Sequence, residues 1–203
     1  MQRYRPVTNS PKEVNHACQV GHPRSGHPAM GTWTISTALH AQVRGNDANV
    51  TMMDDCSTTD GGYNAFGGCP EGAPFPGSKS YKGDVSVAEF FALLFSPLAA
   101  PGHVIGHPSW RNEPSYISIR AGQSVRVTNR GGRAHSFTEV EDFGGGFVPP
   151  LNGAMQPAPE CSNPADVVLL HYGQAQQLNG LDHGLHKFQC CIHPWMRGSV
   201  RVN

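Results

Sequence analysis

A short segment near the C-terminus concentrates side chains that bind metals. It runs from Phe188 to Gly198 (FQCCIHPWMRG) and contains the adjacent Cys190 and Cys191, followed by His193 and Met196. These residues could form a disulfide, a zinc site or a copper site. A soft or borderline metal prefers thiolate, imidazole and thioether ligands, and two histidines, one cysteine and a weak axial methionine form the copper sites of electron-transfer proteins. The segment lacks one histidine of that set, so a neighbouring strand must supply it.

His135 is the best candidate for the missing histidine. It begins a predicted strand over residues 135–140, just after a turn that contains Gly131 and Gly132. A ligand on a strand is held more rigidly than a ligand on a loop. Such a ligand would keep nearly the same geometry for Cu(I) and Cu(II), which lowers the reorganisation that electron transfer requires.

The composition argues against several other classes of protein. The 203-residue chain has zero net charge and 15 % charged residues, unlike a nucleic-acid-binding protein with its basic surface. The sequence has no run of about 18 apolar residues, so no membrane span is expected. Six cysteines favour an oxidising compartment, periplasmic or extracellular, although the first residues (MQRYRPVTNSPKEV) lack the apolar core of a signal peptide.

The hydrophobic pattern divides the chain into three predicted regions. Residues 1–47 show no sustained period and are predicted to form an irregular N-terminal arm. Residues 48–111 form a predicted extension, with a disulfide loop closed by Cys56 and Cys69 and a helix over 85–95 that Asp84 would cap. From about residue 104 the period changes to two, and Gly-rich turns separate short strands, which is typical of a β-sandwich or barrel and marks residues 112–203 as the third region. Strands are predicted at 49–53, 116–119, 125–127, 135–140, 167–170, 177–181, 186–190 and 198–202.

Two motifs make residues 112–203 resemble the cupredoxins, the blue copper proteins. The first motif, GQSVRVTNRGGRAH, ends at His135 and is similar to the family's strand pair in which an Asn begins the turn and a His binds copper. The second is the Cys-x2-His-x2-Met loop, whose spacing is closest to amicyanin among the well-known members. Its CCIHPWM sequence looks closer still to a group of plastocyanin-like bacterial proteins.

The resemblance implies both a fold and a cofactor. The fold would be an all-β Greek-key cupredoxin β-sandwich, with one short helix in its N-terminal extension. The cofactor would be one type 1 copper, bound by His135, Cys190, His193 and, axially, Met196.

The resemblance also separates the roles of the two adjacent cysteines. Cys190 has the family's Cys-x2-His spacing, whereas Cys191 leaves too little backbone for its sulfur and His193 to meet one metal. Side chains alternate along a strand, so Cys190 and Cys191 face opposite ways. The expected partner of Cys191 is Cys161, since a disulfide beside the copper ligand recurs in plant relatives of the family.

Three other interpretations of the segment stay open. A structural zinc site would prefer more thiolates and imidazoles than this set contains. A redox dithiol would have to form between the adjacent Cys190 and Cys191, which closes a strained ring. A cupredoxin that has lost its copper would lack a ligand, and all four residue types are present.

The predicted function is one-electron transfer by cycling between Cu(I) and Cu(II). The sequence has no His-x-His pairs of the kind that copper oxidases use, so the chain is not expected to be an enzyme. The alternative is a copper-binding or storage module, or a structural subunit of an exported assembly. A redox protein partner is expected to dock near His193, Pro194 and Trp195, although Trp195 could equally fold over the site and shield it.

The other histidines of the second half of the chain are interpreted structurally. His186 is expected to pack or hydrogen-bond at a corner of the fold. The histidines at 103, 107, 171 and 183 lie in predicted loops and are expected to be solvated.

Overall fold

The computed structural model describes residues 47–73, 77–95 and 106–203. They contain eight β-strands: β1 (Ala48–Met53), β2 (Arg111–Glu113), β3 (Tyr116–Ile119), β4 (Val125–Asn129), β5 (Thr138–Val140), β6 (Ala175–Leu178), β7 (Gly184–Gln189) and β8 (Arg197–Val202). They also contain one α-helix, α1 (Val87–Leu94), and five short 3-10 helices, at Gly61–Phe66, Ser78–Ser80, Pro149–Leu151, Pro159–Cys161 and Pro164–Asp166. The predicted arm of residues 1–47 lies outside these ranges except for Asp47.

The strands form two four-stranded sheets. The first sheet has the order β2-β1-β4-β6, and the second has the order β3-β8-β7-β5. β1 runs parallel to β4 and β3 runs parallel to β8, while the other neighbours are antiparallel. Buried side chains of both sheets, among them Val50, Val127, Phe188 and Val200, belong to one hydrophobic core, so the sheets pack face to face. The predicted all-β fold with one short α-helix is confirmed.

The period-two pattern accounts for the central strand β4. Val125 and Val127 are buried, and the residue between them is exposed. β1 pairs with β4 so that Val50 lies beside Val127. β1 belongs to the predicted extension of residues 48–111, yet it lies in the first sheet between β2 and β4. The division of the chain at residues 47 and 111 stays a prediction.

Two predicted strands differ from the structure near the candidate ligand His135. The strand predicted over 135–140 begins only at Thr138, and His135 forms an isolated bridge with Leu170. In the stretch 167–170, Leu170 alone pairs in this way, so that stretch is not a strand. Two backbone hydrogen bonds with Leu170, at 3.1 and 2.8 Å, hold the main chain of His135 in place.

Helix α1 begins two residues later than predicted. Ser86 is its N-cap instead of Asp84, because the Ser86 hydroxyl accepts a hydrogen bond from the backbone N–H of Glu89 at 3.1 Å. Val85 stays extended since it bridges to Cys56. None of the helices in the described part of the chain has the length and hydropathy that a membrane crossing requires.

Both predicted disulfides are present. Cys56 pairs with Cys69, and Cys161 pairs with Cys191. Cys190 is buried and is the free cysteine of the described ranges. Because Cys191 is bound to Cys161, it does not form a dithiol couple with its neighbour.

Candidate metal centre

Three of the four predicted ligands meet in one buried cluster. His135 lies between β4 and β5, Cys190 directly follows β7, and His193 lies in the loop before β8. The possible ligand atoms of these residues all lie within 4.8 Å of one another. The Cys190 sulfur is 3.9 Å from Nδ1 of His135 and 3.7 Å from Nδ1 of His193. Both imidazoles therefore direct the same nitrogen at one sulfur.

The loop that carries Cys190 closes on itself through its backbone. The N–H of Cys190 donates to the carbonyl of Met196 at 3.0 Å, and the N–H of Met196 donates to the carbonyl of His193 at 2.9 Å. Met196 is 1 % exposed. The turn thus ties the backbone of Met196 to Cys190 and His193, while Met196 as a weak thioether ligand stays a prediction.

The sulfur of Cys190 lies in surroundings that favour a thiolate. Two backbone N–H groups, of Ser136 at 3.4 Å and of His193 at 3.5 Å, donate to it. Burial alone would raise the pKa of Cys190, but the hydrogen bonds and charges of His135 and His193 outweigh burial and lower that pKa well below the usual thiol value. A thiolate is the form that binds metals.

A buried carboxylate holds His135 from the side opposite the sulfur. Asp54 follows β1 and is 1 % exposed. Its Oδ2 accepts hydrogen bonds from Nε2 of His135 at 2.7 Å and from the N–H of Arg133 at 2.9 Å. Because Nε2 donates to Asp54, Nδ1 is the nitrogen left for a metal. The one sequence signal for this residue is the acidic pair Asp54-Asp55 directly after a β-prone stretch.

The second carboxylate oxygen of Asp54 also accepts several hydrogen bonds. Oδ1 accepts hydrogen bonds from the N–H groups of Cys56 at 3.1 Å and Gly132 at 2.9 Å, and from the hydroxyl of Tyr81 at 3.0 Å. The turn before His135 must approach this carboxylate closely, since a Cβ atom on Gly131 would collide with it. The Gly-Gly turn is therefore a requirement of the site.

The pKa values of the two partners show a buried ion pair in the metal-free protein. Burial opposes ionisation of Asp54, but the hydrogen bond and charge of His135, with the backbone donors, lower its pKa to about 2. Burial also opposes protonation of His135, but the hydrogen bond to Asp54 raises its pKa to about 9. Burial lowers the pKa of His193, which favours the neutral imidazole that binds metals.

Aromatic side chains surround His193. Its ring centroid lies 5.6 Å from that of Trp195 and 6.4 Å from that of Trp110. Trp195 is half-buried and packs so closely on Gly106 that a Cβ atom there would collide with it. His193 is 5 % exposed and Pro194 is buried. The residues expected to meet a partner are thus mostly covered, and docking at them stays a proposal.

The predictions for the other histidines agree with the structure at some positions and not at others. The prediction of a solvated His107 is wrong: it is 4 % exposed and packs against the rings of Phe90 and Trp110. His183 is exposed and the histidine at 171 is half-buried, while position 103 lies outside the described residues. His186 binds Glu139 through Nδ1 at 2.6 Å and the carbonyl of residue 182 through Nε2 at 2.7 Å, which is a structural role.

The comparison with known proteins finds matches among solved structures. No family model and no curated protein matches the chain. A purple cupredoxin from Nitrosopumilus maritimus is 16 % identical, with a TM-score of 0.39, and the match covers 77 % of this chain and 100 % of that one. Two reduced amicyanin variants are 23 % and 21 % identical, with TM-scores of 0.30 and 0.32. Their matches cover 45 % and 53 % of this chain, and 71 % and 87 % of theirs.

These proteins are of the kind that the sequence motifs resemble. At such TM-scores, however, the likeness carries no argument about what this chain binds or does. The kinship of the CCIHPWM loop with plastocyanin-like bacterial proteins also stays a prediction. The case for a function therefore rests on the chemistry of the cluster.

Proposed function

We propose that the cluster binds one copper ion as a type 1 centre and that the chain carries single electrons. The observation that carries this proposal is the convergence of His135, Cys190 and His193 in a buried cluster around an acidic thiol. One thiolate and two imidazoles would be the strong ligands, and Met196 would be a weak fourth ligand. A bound copper would supply reversible one-electron chemistry.

The part that the protein plays in electron transfer is to hold these ligands still. Asp54 fixes the ring of His135 and its tautomer, and the main chain of His135 is tied to Leu170. Backbone N–H groups fix the sulfur of Cys190, and the next residue, Cys191, is anchored by its disulfide. A ligand set that does not move between the two oxidation states keeps the reorganisation energy small.

His193 is the ligand through which electrons would pass to a partner. Its ring lies against Trp195, which is only half-buried. We infer that a redox protein docks near His193, Pro194 and Trp195 and makes its contact through the exposed part of Trp195. No bond of a substrate would be made or broken, so the chain would not be an enzyme.

The two disulfides support a place in an oxidising compartment, periplasmic or extracellular. The alternative function, copper storage or a structural part of an exported assembly, would use the same ligands. The reduction potential and the self-exchange rate separate the two, because a carrier must cycle fast and reversibly. A site that stays Cu(I) would favour storage.

Visible and EPR spectroscopy of the copper-loaded protein tests the proposal. We expect an intense thiolate-to-copper absorption band that disappears in Cys190→Ser and persists in Cys191→Ser. The second variant is the matched control, because it changes the neighbouring cysteine in the same way. A Cu(II)-loaded protein without the band, or a Cys190→Ser variant that keeps it, would refute the assignment.

A further inference from the structure

Asp54 places a negative charge in the interior, next to the candidate ligand His135. Both side chains are fully buried, and Oδ2 of Asp54 lies 2.7 Å from Nε2 of His135. The polar contacts of this carboxylate are all with donors, namely Nε2 of His135, the hydroxyl of Tyr81 and the N–H groups of Cys56, Gly132 and Arg133. A protonated acid would direct its own O–H at one of these donors, so the contacts require the ionised form.

No cationic side chain of the described ranges other than His135 forms an ion pair with this carboxylate. Arg133 gives it a backbone N–H alone, because its guanidinium pairs with Glu71 at 3.0 Å and donates to the carbonyls of residues 66 and 68. The hydroxyl and the backbone N–H groups carry no net charge. When His135 binds a metal as a neutral imidazole, Asp54 therefore keeps one full negative charge in the interior.

The charges of the cluster add up differently for the two oxidation states of copper. The thiolate of Cys190 and the carboxylate of Asp54 contribute two negative charges, and the two imidazoles are neutral as ligands. The centre is therefore neutral with Cu(II) and carries one net negative charge with Cu(I). Cys190 and His135 are 0 % exposed, and an uncompensated charge in such surroundings is destabilising. The attraction to the carboxylate is also twice as large for a doubly charged ion.

We propose that the carboxylate of Asp54 makes this centre prefer Cu(II) over Cu(I) and thereby lowers its reduction potential. Asp54 acts through His135, so it is a positioning residue that has an electrostatic role as well. The inference rests on the proposed copper centre and adds its preferred oxidation state. A centre with this charge balance is poorly suited to copper that stays Cu(I), which favours a carrier over storage in that form.

The ratio of Cu(II) affinity to Cu(I) affinity tests the proposal, measured on the full chain by competition with chelators. Asp54→Asn removes the charge, so we expect the ratio to fall about tenfold, which raises the reduction potential by about 60 mV. Loss of the hydrogen bond to Nε2 weakens the binding of both ions, and the ratio cancels this common effect. Asp55→Asn is the matched control, because it removes the same charge from a half-buried neighbour and should leave the ratio nearly unchanged.

Tyr81→Phe tests the same charge in the opposite direction, and it decides the matter even if Asp54→Asn does not fold. The hydroxyl that it removes donates to Oδ1 of Asp54 at 3.0 Å. The carboxylate keeps its charge but loses one of the donors that partly neutralise it. We therefore expect the ratio of Cu(II) affinity to Cu(I) affinity to rise about twofold and the potential to fall. A purely structural role of Asp54 would not move the two variants in opposite directions.

Zn(II) and Ag(I) repeat the comparison with ions whose charge is fixed. The ratio of Zn(II) affinity to Ag(I) affinity should fall in Asp54→Asn and rise in Tyr81→Phe, whether or not the copper-loaded chain shows the thiolate band. This result is therefore separate from that of the electron-transfer assignment. An Asp54→Asn variant with the affinity ratios of Asp55→Asn would overturn the inference. So would a Tyr81→Phe variant whose ratios do not rise, or a wild-type chain that binds none of these ions.

Discussion

Replacement of Asp54 by Asn removes one charge from the interior and changes little in shape. Oδ1 accepts three hydrogen bonds and Oδ2 accepts two, so the amide oxygen of the variant is best placed at the Oδ1 position. The amide NH₂ group then faces two groups, the N–H of Arg133 and Nε2 of His135. Because the NH₂ group and the N–H of Arg133 are both donors, they cannot form a hydrogen bond. To accept from this NH₂ group, His135 must carry its proton on Nδ1, the nitrogen directed at Cys190.

The expected loss of stability follows from the buried ion pair. The fall of the Asp54 pKa from 3.8 to about 2 corresponds to roughly 2 kcal/mol in favour of the folded carboxylate. Breaking a buried pair by removing one partner typically costs about 3–5 kcal/mol, since the other group is left uncompensated. Because the Asp54 pKa is lowered, its contribution is present above pH 3.8 and is lost as the pH falls through about 2. His135 stays protonated below about pH 9, so urea unfolding of the metal-free protein at pH 7 measures the whole effect.

Copper binding should weaken together with stability, because His135 must keep its proton on Nε2 while Nδ1 binds the metal, and the amide NH₂ group cannot accept that proton as the carboxylate does. Loss of a group that orients a ligand lowers metal affinity about 10- to 100-fold, which a competition titration against a chelator measures. Asp55→Asn is the matched control, since it removes the same charge from the neighbouring, half-buried residue. If Asp54→Asn bound copper as tightly as Asp55→Asn and gave the same spectrum, our account of the His135 tautomer would be wrong.

Three further predictions concern the scaffold. Ser86→Ala removes the N-cap of α1 and should lower the free energy of unfolding by about 1 kcal/mol in a urea titration; an unchanged value would exclude the cap. Cys191→Ser opens a disulfide that spans 30 positions and should lower stability by about 3–4 kcal/mol, and Cys161→Ser should match it if the two cysteines are paired. The hydrogen bond that His186 donates to Glu139 raises the pKa of His186, so this pair stabilises the fold fully below the ordinary histidine pKa of about 6.5 and loses its effect as the pH rises through the raised value. The difference in stability between wild type and Glu139→Gln should therefore shrink with increasing pH, and a pH-independent difference would contradict the pairing.

The candidate ligands could be found from the sequence because most of their relations are local. Cys190, His193 and Met196 follow at intervals of three, and a turn with two backbone hydrogen bonds is enough to bring them together. His135 is distant in sequence, but a Gly-Gly turn before a β-prone stretch marks its position. The structure also shows what the local pattern missed there, since β5 begins only at Thr138 and a single bridge holds the His135 main chain.

Asp54 and His107 could not be found in this way, because their surroundings come from distant parts of the chain. The contact between Asp54 and His135 spans 81 positions and depends on the parallel pairing of β1 with β4, which no local pattern encodes. His107 lies in a Gly-His-Pro context that is typical of a surface loop, and packing against Phe90 of α1 buries it. The predicted start of α1 is wrong for a similar reason. Two good N-cap residues lie close together there, and a long-range bridge to Cys56 decides between them.

The part of the chain outside the resemblance builds the surroundings of the candidate centre. β1 leads into Asp54, which holds His135, and α1 contributes Phe90, whose ring lies 6.1 Å from that of Trp195 over His193. The same four candidate ligands without these elements would leave one imidazole without its carboxylate and the other open to solvent. If this chain differs in reduction potential or ligand binding from proteins with a similar loop, the cause should therefore be sought in residues 48–111 before the loop itself.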